Sequence, residues 1–382
     1  MLYYLSVWLR RVAEGTDWAE WTGPLRVFDY VTFRSAGAAL TSLLLSVFLG
    51  RRFIRELVRW NFGQKYVDPG VQHGAAKDPT RKQGVPTMGG LLIVLVLDLS
   101  AVLWGRWNTS LQLTLLSVLV LAGLGFYDDY AKIAKQSREA GATERLKLTV
   151  QTLLAGFIGL YLWWNEGTRS LVSDITLPFM KTPILVGVPI LGVAVAMATI
   201  VGFSNAVNLT DGLDGLAIGC TAITSSVLLV FAYLASNRHF AAQLLLPYVD
   251  GAGELVVFVS ALIGASLGFL WFNCHPAEVF MGDTGALALG GALGIVAVLI
   301  HHPFVLLLAG GVFVAEAASV MIQRTWFKYT RRRYGTGRRV FLMSPLHYHF
   351  MKQGWYESKV TIRFYILSIL CALVALSTIK LR

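Results

Sequence analysis

Apolar residues gather in runs of the length that crosses a hydrocarbon core, about 20 residues, and most polar residues are confined to the segments between them. Ten such runs can be read, at 30–49, 88–104, 111–127, 148–164, 190–207, 216–234, 255–272, 286–300, 304–322 and 362–379. Their length predicts α-helices, because a spanning segment must satisfy its own backbone. One stretch reads differently. Between the fourth and fifth runs, 175–188 is rich in β-branched residues and broken by Pro178 and Pro183, which predicts a short β-hairpin on the surface. Residues 1–26, with Trp8, Trp18 and Trp21 beside Arg10 and Arg11, read as an interfacial segment rather than a cleavable signal. The expected fold is therefore an all-α polytopic membrane protein of ten transmembrane helices, a single domain over 1–382.

Basic residues orient this set. Arg51, Arg52, Arg55 and Arg59 follow the first run, Lys132, Lys135 and Lys147 the third, and Arg331, Arg332 and Arg333 the ninth. The alternate loops hold only Arg106, then Arg169 and Lys181, then Arg238. Both termini and the hairpin are thus expected outside, and loops 1–2, 3–4, 5–6, 7–8 and 9–10 in the cytoplasm.

Composition excludes a soluble domain: 55% of residues are hydrophobic and 14% charged. A net charge of +11 would point to nucleic acid in a soluble chain. Here anionic lipid and a phosphate-bearing substrate explain it, and no nucleic-acid partner is expected. The three cysteines, Cys220, Cys274 and Cys371, have no disulfide or metal spacing.

Acidic residues collect at the cytoplasmic ends of the runs. Asp128 and Asp129 close the third in F-Y-D-D-Y, where carboxylates oppose the helix dipole and structure alone gives little reason for them. Neighbours on a helix point about 100° apart, so the two should have different jobs. Asp211 and Asp214 lie three apart in N-L-T-D-G-L-D-G-L-A, on a shared face if that segment is helical. Asp283 in M-G-D-T-G is a credible N-cap of the eighth run. Taken with the other acids, it also suits Mg²⁺, which binds one or two carboxylates beside a substrate phosphate. Arg81 and Lys82 open the second run next to glycines, where cations and backbone N–H groups suit a diphosphate. His347 and His349 stand in S-P-L-H-Y-H-F, able to donate to phosphate. Asp98 and Glu316 lie inside runs, where charge is costly, and no chemistry is assigned to them.

Four motifs carry a resemblance over nearly the whole chain after the first 25 or so residues: G-V-P-T-M-G-G (84–90), F-Y-D-D-Y (126–130), N-L-T-D-G-L-D-G-L-A (208–217) and P-A-E-V-F-M-G-D-T-G (276–285). Together they resemble the polyprenyl-phosphate N-acetylhexosamine-1-phosphate transferase superfamily, in particular its muramoyl-pentapeptide branch. The resemblance implies transfer of phospho-MurNAc-pentapeptide from UDP-MurNAc-pentapeptide to undecaprenyl phosphate, giving lipid I and UMP, in the bacterial inner membrane with the site facing the cytoplasm. It implies that Asp128, Asp129 and Asp283 are the catalytic acids, with Asp283 the Mg²⁺ ligand. It implies that Asn208, Asp211, Asp214 and Phe280 line the nucleotide pocket, that Lys82, His347 and His349 bind substrate, and that the protein is a homodimer. The chain departs from the pattern at Tyr348, between two of the family's three histidines, at Val85 for threonine, and at Pro79 for histidine. Two other readings remain: a sister transferase using UDP-GlcNAc, and a secondary transporter with proton- or ion-carrying acids.

Overall fold

Hydrocarbon holds no water to satisfy a free N–H or C=O, so each apolar run winds into a helix. A computed structural model describes residues 1–60, 84–137 and 140–380. In chain order the helices are α1 (Leu2–Ala13), α2 (Ala19–Thr22), α3 (Val31–Arg59), α4 (Gly90–Trp104), α5 (Thr109–Ala134), α6 (Glu144–Trp164), α7 (Ser170–Ser173) and α8 (Pro189–Thr210). They continue as α9 (Leu216–Ser236), α10 (Arg238–Gln243), α11 (Gly253–Asn273), α12 (Gly282–Leu299), α13 (Pro303–Ala309), α14 (Gly311–Tyr334), α15 (Leu346–Lys352) and α16 (Glu357–Ser377). Local signals fix several starts. Asn108 caps α5 by accepting the Leu111 N–H at 2.9 Å, and Thr143 caps α6 through Leu146 at 3.2 Å.

By length and composition, eight described helices are able to cross a membrane, or nine when α13 and α14 count as one span. The chain is thus a multi-pass membrane protein. Two of the ten expected runs depart from straight, full-length helices. The second becomes α4, only 15 residues long. The ninth is bent by 84° between α13 and α14. The break falls at Gly310, where a Cβ would lie 2.5 Å from the Phe203 ring. The expected hairpin reduces to a single antiparallel bridge, Ile175 to Leu185, and no strand occurs among the described residues. Pro178 and Pro183 lack the N–H groups that would extend it.

α12 is the axis of the bundle. In its apolar window 89% of residues are buried, against 28% for α3, 33% for α6 and 33% for α16, which therefore face lipid. A helix apolar all round belongs at such a centre. α3 and α11 pack most closely through small residues. Ala38, Ser42, Ser46 and Gly50 are buried every fourth position along α3, and the Ser42 hydroxyl donates to the Ala261 carbonyl at 2.8 Å.

The end of the bundle holding the N-termini of α3 and α11 is tied by an ion pair. Arg34, fully buried, donates to both oxygens of Glu254 at 2.6 and 2.8 Å. Glu254 also accepts the Arg106 N–H at 2.7 Å. Tyr3 brings α1 onto this cluster, with the Arg106 guanidinium 3.8 Å from its ring centre. Outward, α1 shows Tyr4, Trp8 and Val12, the interfacial face expected of it.

Candidate active site

The opposite end of the bundle gathers the C-termini of α5, α8 and α11 with the N-termini of α9, α12 and α16. Asp128, Asp129 and Asp283 meet there, with one carboxylate oxygen from each lying within 4.8 Å of the others. Asp128 and Asp129 point to different partners, as their spacing predicts. Asp129 accepts the N–H groups of Asp283 and Thr284 at 3.1 and 2.9 Å and the Thr284 hydroxyl at 2.7 Å. It therefore caps α12 from another helix, where the sequence pointed to Asp283 as the cap. Asp283 sits instead within the first turn, and its Oδ2 lies 2.5 Å from Lys147 Nζ and 3.3 Å from Lys132 Nζ. Asp128 Oδ2 faces the same two ammonium groups at 2.9 and 2.5 Å, and its Oδ1 accepts the Ala142 N–H at 2.6 Å. Gly282 permits this approach: its φ is +73°, and a Cβ there would fall 2.6 Å from Asp129 Oδ2.

The other motifs build the walls. Residues 86–90 lie along 280–281, with the Phe280 N–H donating to Pro86 O and the Gly89 N–H to Phe280 O, both at 2.8 Å. This fixes the half-buried Phe280 beside the acids. Asn208 is half-buried in the last turn of α8. Asp211 lies beside the Gly282 backbone, and burial pushes its carboxyl up to about 8, helped by the charges of Asp283, Asp129 and Asp214. The expectation of a shared helical face for Asp211 and Asp214 is overturned. Between α8 and α9 the chain turns, with Gly215 at φ +75°, so Asp214 points to His275 Nδ1 at 3.0 Å and the Ala277 N–H at 3.2 Å. Glu357 accepts the Asp214 N–H at 2.9 Å and ties α16 to the turn.

His347 is fully buried against Glu316, with its Nδ1 3.3 Å from Oε1. His349 faces its own loop, accepting the Leu342 N–H at 3.1 Å. Tyr348, the departure from three histidines, donates its hydroxyl to Gly212 O at 3.3 Å. Lys82 lies outside the described residues. Lys132 was legible four residues after Asp128. Lys147 and Glu357 were not singled out as site residues, because each joins the site from an element distant in sequence; Thr284 and His275 lie in or beside the Asp283 motif but were given no role.

The donor set suits a hard divalent cation. Asp128 and Asp283 direct carboxylate oxygens at one point, and both ammonium groups crowd there, which marks a focus of negative potential. Asp129 contributes charge, but its hydrogen bonds to α12 occupy both of its oxygens.

Residues 111–301, half of the chain, match the sequence pattern of glycosyl transferase family 4. Over 383 residues and the whole of both chains, the protein is 44% identical to a phospho-N-acetylmuramoyl-pentapeptide-transferase of Methylacidiphilum infernorum. The chain belongs to this family. Further relatives bear the same name: one from Desulfotalea psychrophila is 48% identical over 93% of this chain and 95% of its own, and one from Chloroherpeton thalassium 42% over the whole of both. The family match spans Asp128, Asp129, Asp211, Asp214 and Asp283, the acids that the fold brings to one end of the bundle.

Proposed function

We propose that the chain transfers phospho-MurNAc-pentapeptide from UDP-MurNAc-pentapeptide to undecaprenyl phosphate. In this reaction an oxygen of the lipid phosphate bonds to the sugar-linked phosphorus. The bond from that phosphorus to the bridging oxygen breaks, and UMP leaves with the electron pair. Lipid I is the other product. The reading rests above all on Asp128 and Asp283 converging with Lys132 and Lys147 at the helix ends. Acids at helix ends suit a substrate shared between water and lipid, whereas transporter acids belong near the midplane.

Each residue then has a part. Lys132 and Lys147 offset phosphate charge and, by bridging the two carboxylates, let them lie close together. Asp128, whose side chain is only 1% exposed and which shares the two ammonium groups with the neighbouring Asp283, takes the proton of the lipid phosphate. Asp129 keeps α12 in place and so aims Asp283. Asp283 with Asp128 would hold Mg²⁺, which supplies charge neutralisation for the transferring phosphoryl group. Asn208, Asp211 and Phe280 form the wall for the nucleotide, and a diphosphate-binding role is assigned to Lys82.

The topology that fits this chemistry has ten crossings, with α4 and the α13–α14 pair added to the eight long helices. Both termini and the 175–185 bridge lie outside, and the acids face the cytoplasm, where nucleotide sugars are made. The assay offers purified protein, Mg²⁺ and undecaprenyl phosphate with each UDP-sugar in turn. UMP release with UDP-MurNAc-pentapeptide alone is expected. Release with UDP-GlcNAc instead identifies the sister activity, and release with neither refutes a transferase.

A further inference from the structure

A carboxylate buried in a membrane helix is costly and calls for a reason. Glu316 lies in α14 with no exposed surface, and His347, at the start of α15, is equally enclosed. Glu316 Oε1 accepts the His347 N–H at 3.1 Å and stands 3.3 Å from its Nδ1. Among the described residues Glu316 Oε2 and both ring nitrogens of His347 find no hydrogen-bond partner. The outer edge of the imidazole rests on Gly212: a Cβ there would lie 2.3 Å from Nε2 and 3.0 Å from the Tyr348 hydroxyl. Gly212 follows Asp211, which lies beside the Gly282 backbone at the acid site. A continuous line of contacts therefore runs from α14 through His347 to the turn that carries Asp211.

We propose that Glu316 is a positioning residue: its carboxylate fixes the His347 ring, and the ring seats the Gly212 turn that forms one wall of the nucleotide pocket. His347 acts from behind this wall, since no part of it is exposed. The inference rests on the transferase reading for its substrate, and on geometry alone for the linkage. Two features of the pair support a positioning role over a packing role. A leucine of similar volume would fill the space without the cost of a buried charge, and one carboxylate oxygen both accepts the backbone N–H of His347 and stands 3.3 Å from its ring Nδ1, which limits how the ring can turn.

The test is steady-state UMP release by Glu316→Ala and Glu316→Gln. Glu316→Ala is expected to raise KM for UDP-MurNAc-pentapeptide about tenfold, the effect of about 1.4 kcal/mol, with kcat and the KM for undecaprenyl phosphate within about threefold. Glu316→Gln keeps an acceptor for the His347 N–H and is expected to recover most of that loss. Gly212→Ala pushes on the ring from the other side and should reproduce the rise in KM, which keeps the idea testable if Glu316→Ala does not fold. Wild-type KM in Glu316→Ala and Gly212→Ala alike, or in Gly212→Ala alone where Glu316→Ala does not fold, or a fall in kcat with KM unchanged, overturns the proposal. If the wild-type protein itself releases no UMP, the transferase reading fails separately. The linkage is then decided by thermal unfolding of Glu316→Ala, His347→Ala and the double variant: non-additive losses support it and additive losses refute it.

Discussion

Asp129→Ala isolates the part of the site that belongs to structure rather than to chemistry. The substitution removes three hydrogen bonds at the start of α12, from the Asp283 and Thr284 N–H groups and the Thr284 hydroxyl. Loss of an N-cap costs about 0.5–2 kcal/mol, and hydrogen bonds to a charged group contribute about 1.5–3 kcal/mol each. Two effects pull the net figure down. Asp129 shares its neighbourhood with Asp128 and Asp283, so removing it relieves repulsion, and water reaches the freed N–H groups beside the 18% exposed Asp283 side chain. A loss of about 1–2 kcal/mol follows, and Asp129→Asn, which keeps one acceptor, should lose about half as much. Thermal unfolding in detergent measures this, with Asp128→Ala as the comparison. Asp128 holds no helix end, so its variant should melt higher than Asp129→Ala while showing the greater loss of UMP release. The reasoning is refuted if Asp129→Ala melts with the wild-type protein, or if Asp128→Ala is the less stable of the two.

Glu254→Ala leaves the fully buried Arg34 without its counter-ion and should cost about 3–5 kcal/mol. Arg34→Met with Glu254→Leu should recover most of it in the same melting assay, and equal losses in the single and double variants would contradict the account. Lys147→Met removes one of the two ammonium groups shared by Asp128 and Asp283. UMP release should fall at least tenfold with melting changed little; undiminished release would remove Lys147 from the site.

Periodic signals were legible and distant pairings were not. Apolar length located the helices, and acids at run ends marked the end of the bundle where Asp128, Asp129 and Asp283 meet, because hydrocarbon and helix dipoles constrain each residue locally. Arg34 and Glu254 pair across 220 positions, with no trace in either neighbourhood. The sequence made Asp283 the N-cap of α12, but the helix already begins at Gly282 and its cap comes from Asp129, 154 residues before Asp283. A local rule finds the need for a cap without finding its source. Lys147 looked like an orientation charge, since one lysine in a basic loop resembles the next until tertiary packing selects it. Asp211 and Asp214 would share a face only in a helix, and the chain turns between α8 and α9 instead, with Gly215 at φ +75°. The β-branched residues around 175–188 drew a hairpin, and the prolines allowed only one bridge.

The central claim is that one cation-binding carboxylate at the start of α12 organises a phosphoryl transfer. Its most direct test is UMP release from UDP-MurNAc-pentapeptide and undecaprenyl phosphate by Asp283→Asn, followed across a Mg²⁺ titration beside the wild-type protein. The wild type should depend on Mg²⁺ and fall silent in chelator, while a folded Asp283→Asn should stay silent at every concentration. Wild-type turnover in chelator, or full turnover by Asp283→Asn, would contradict it.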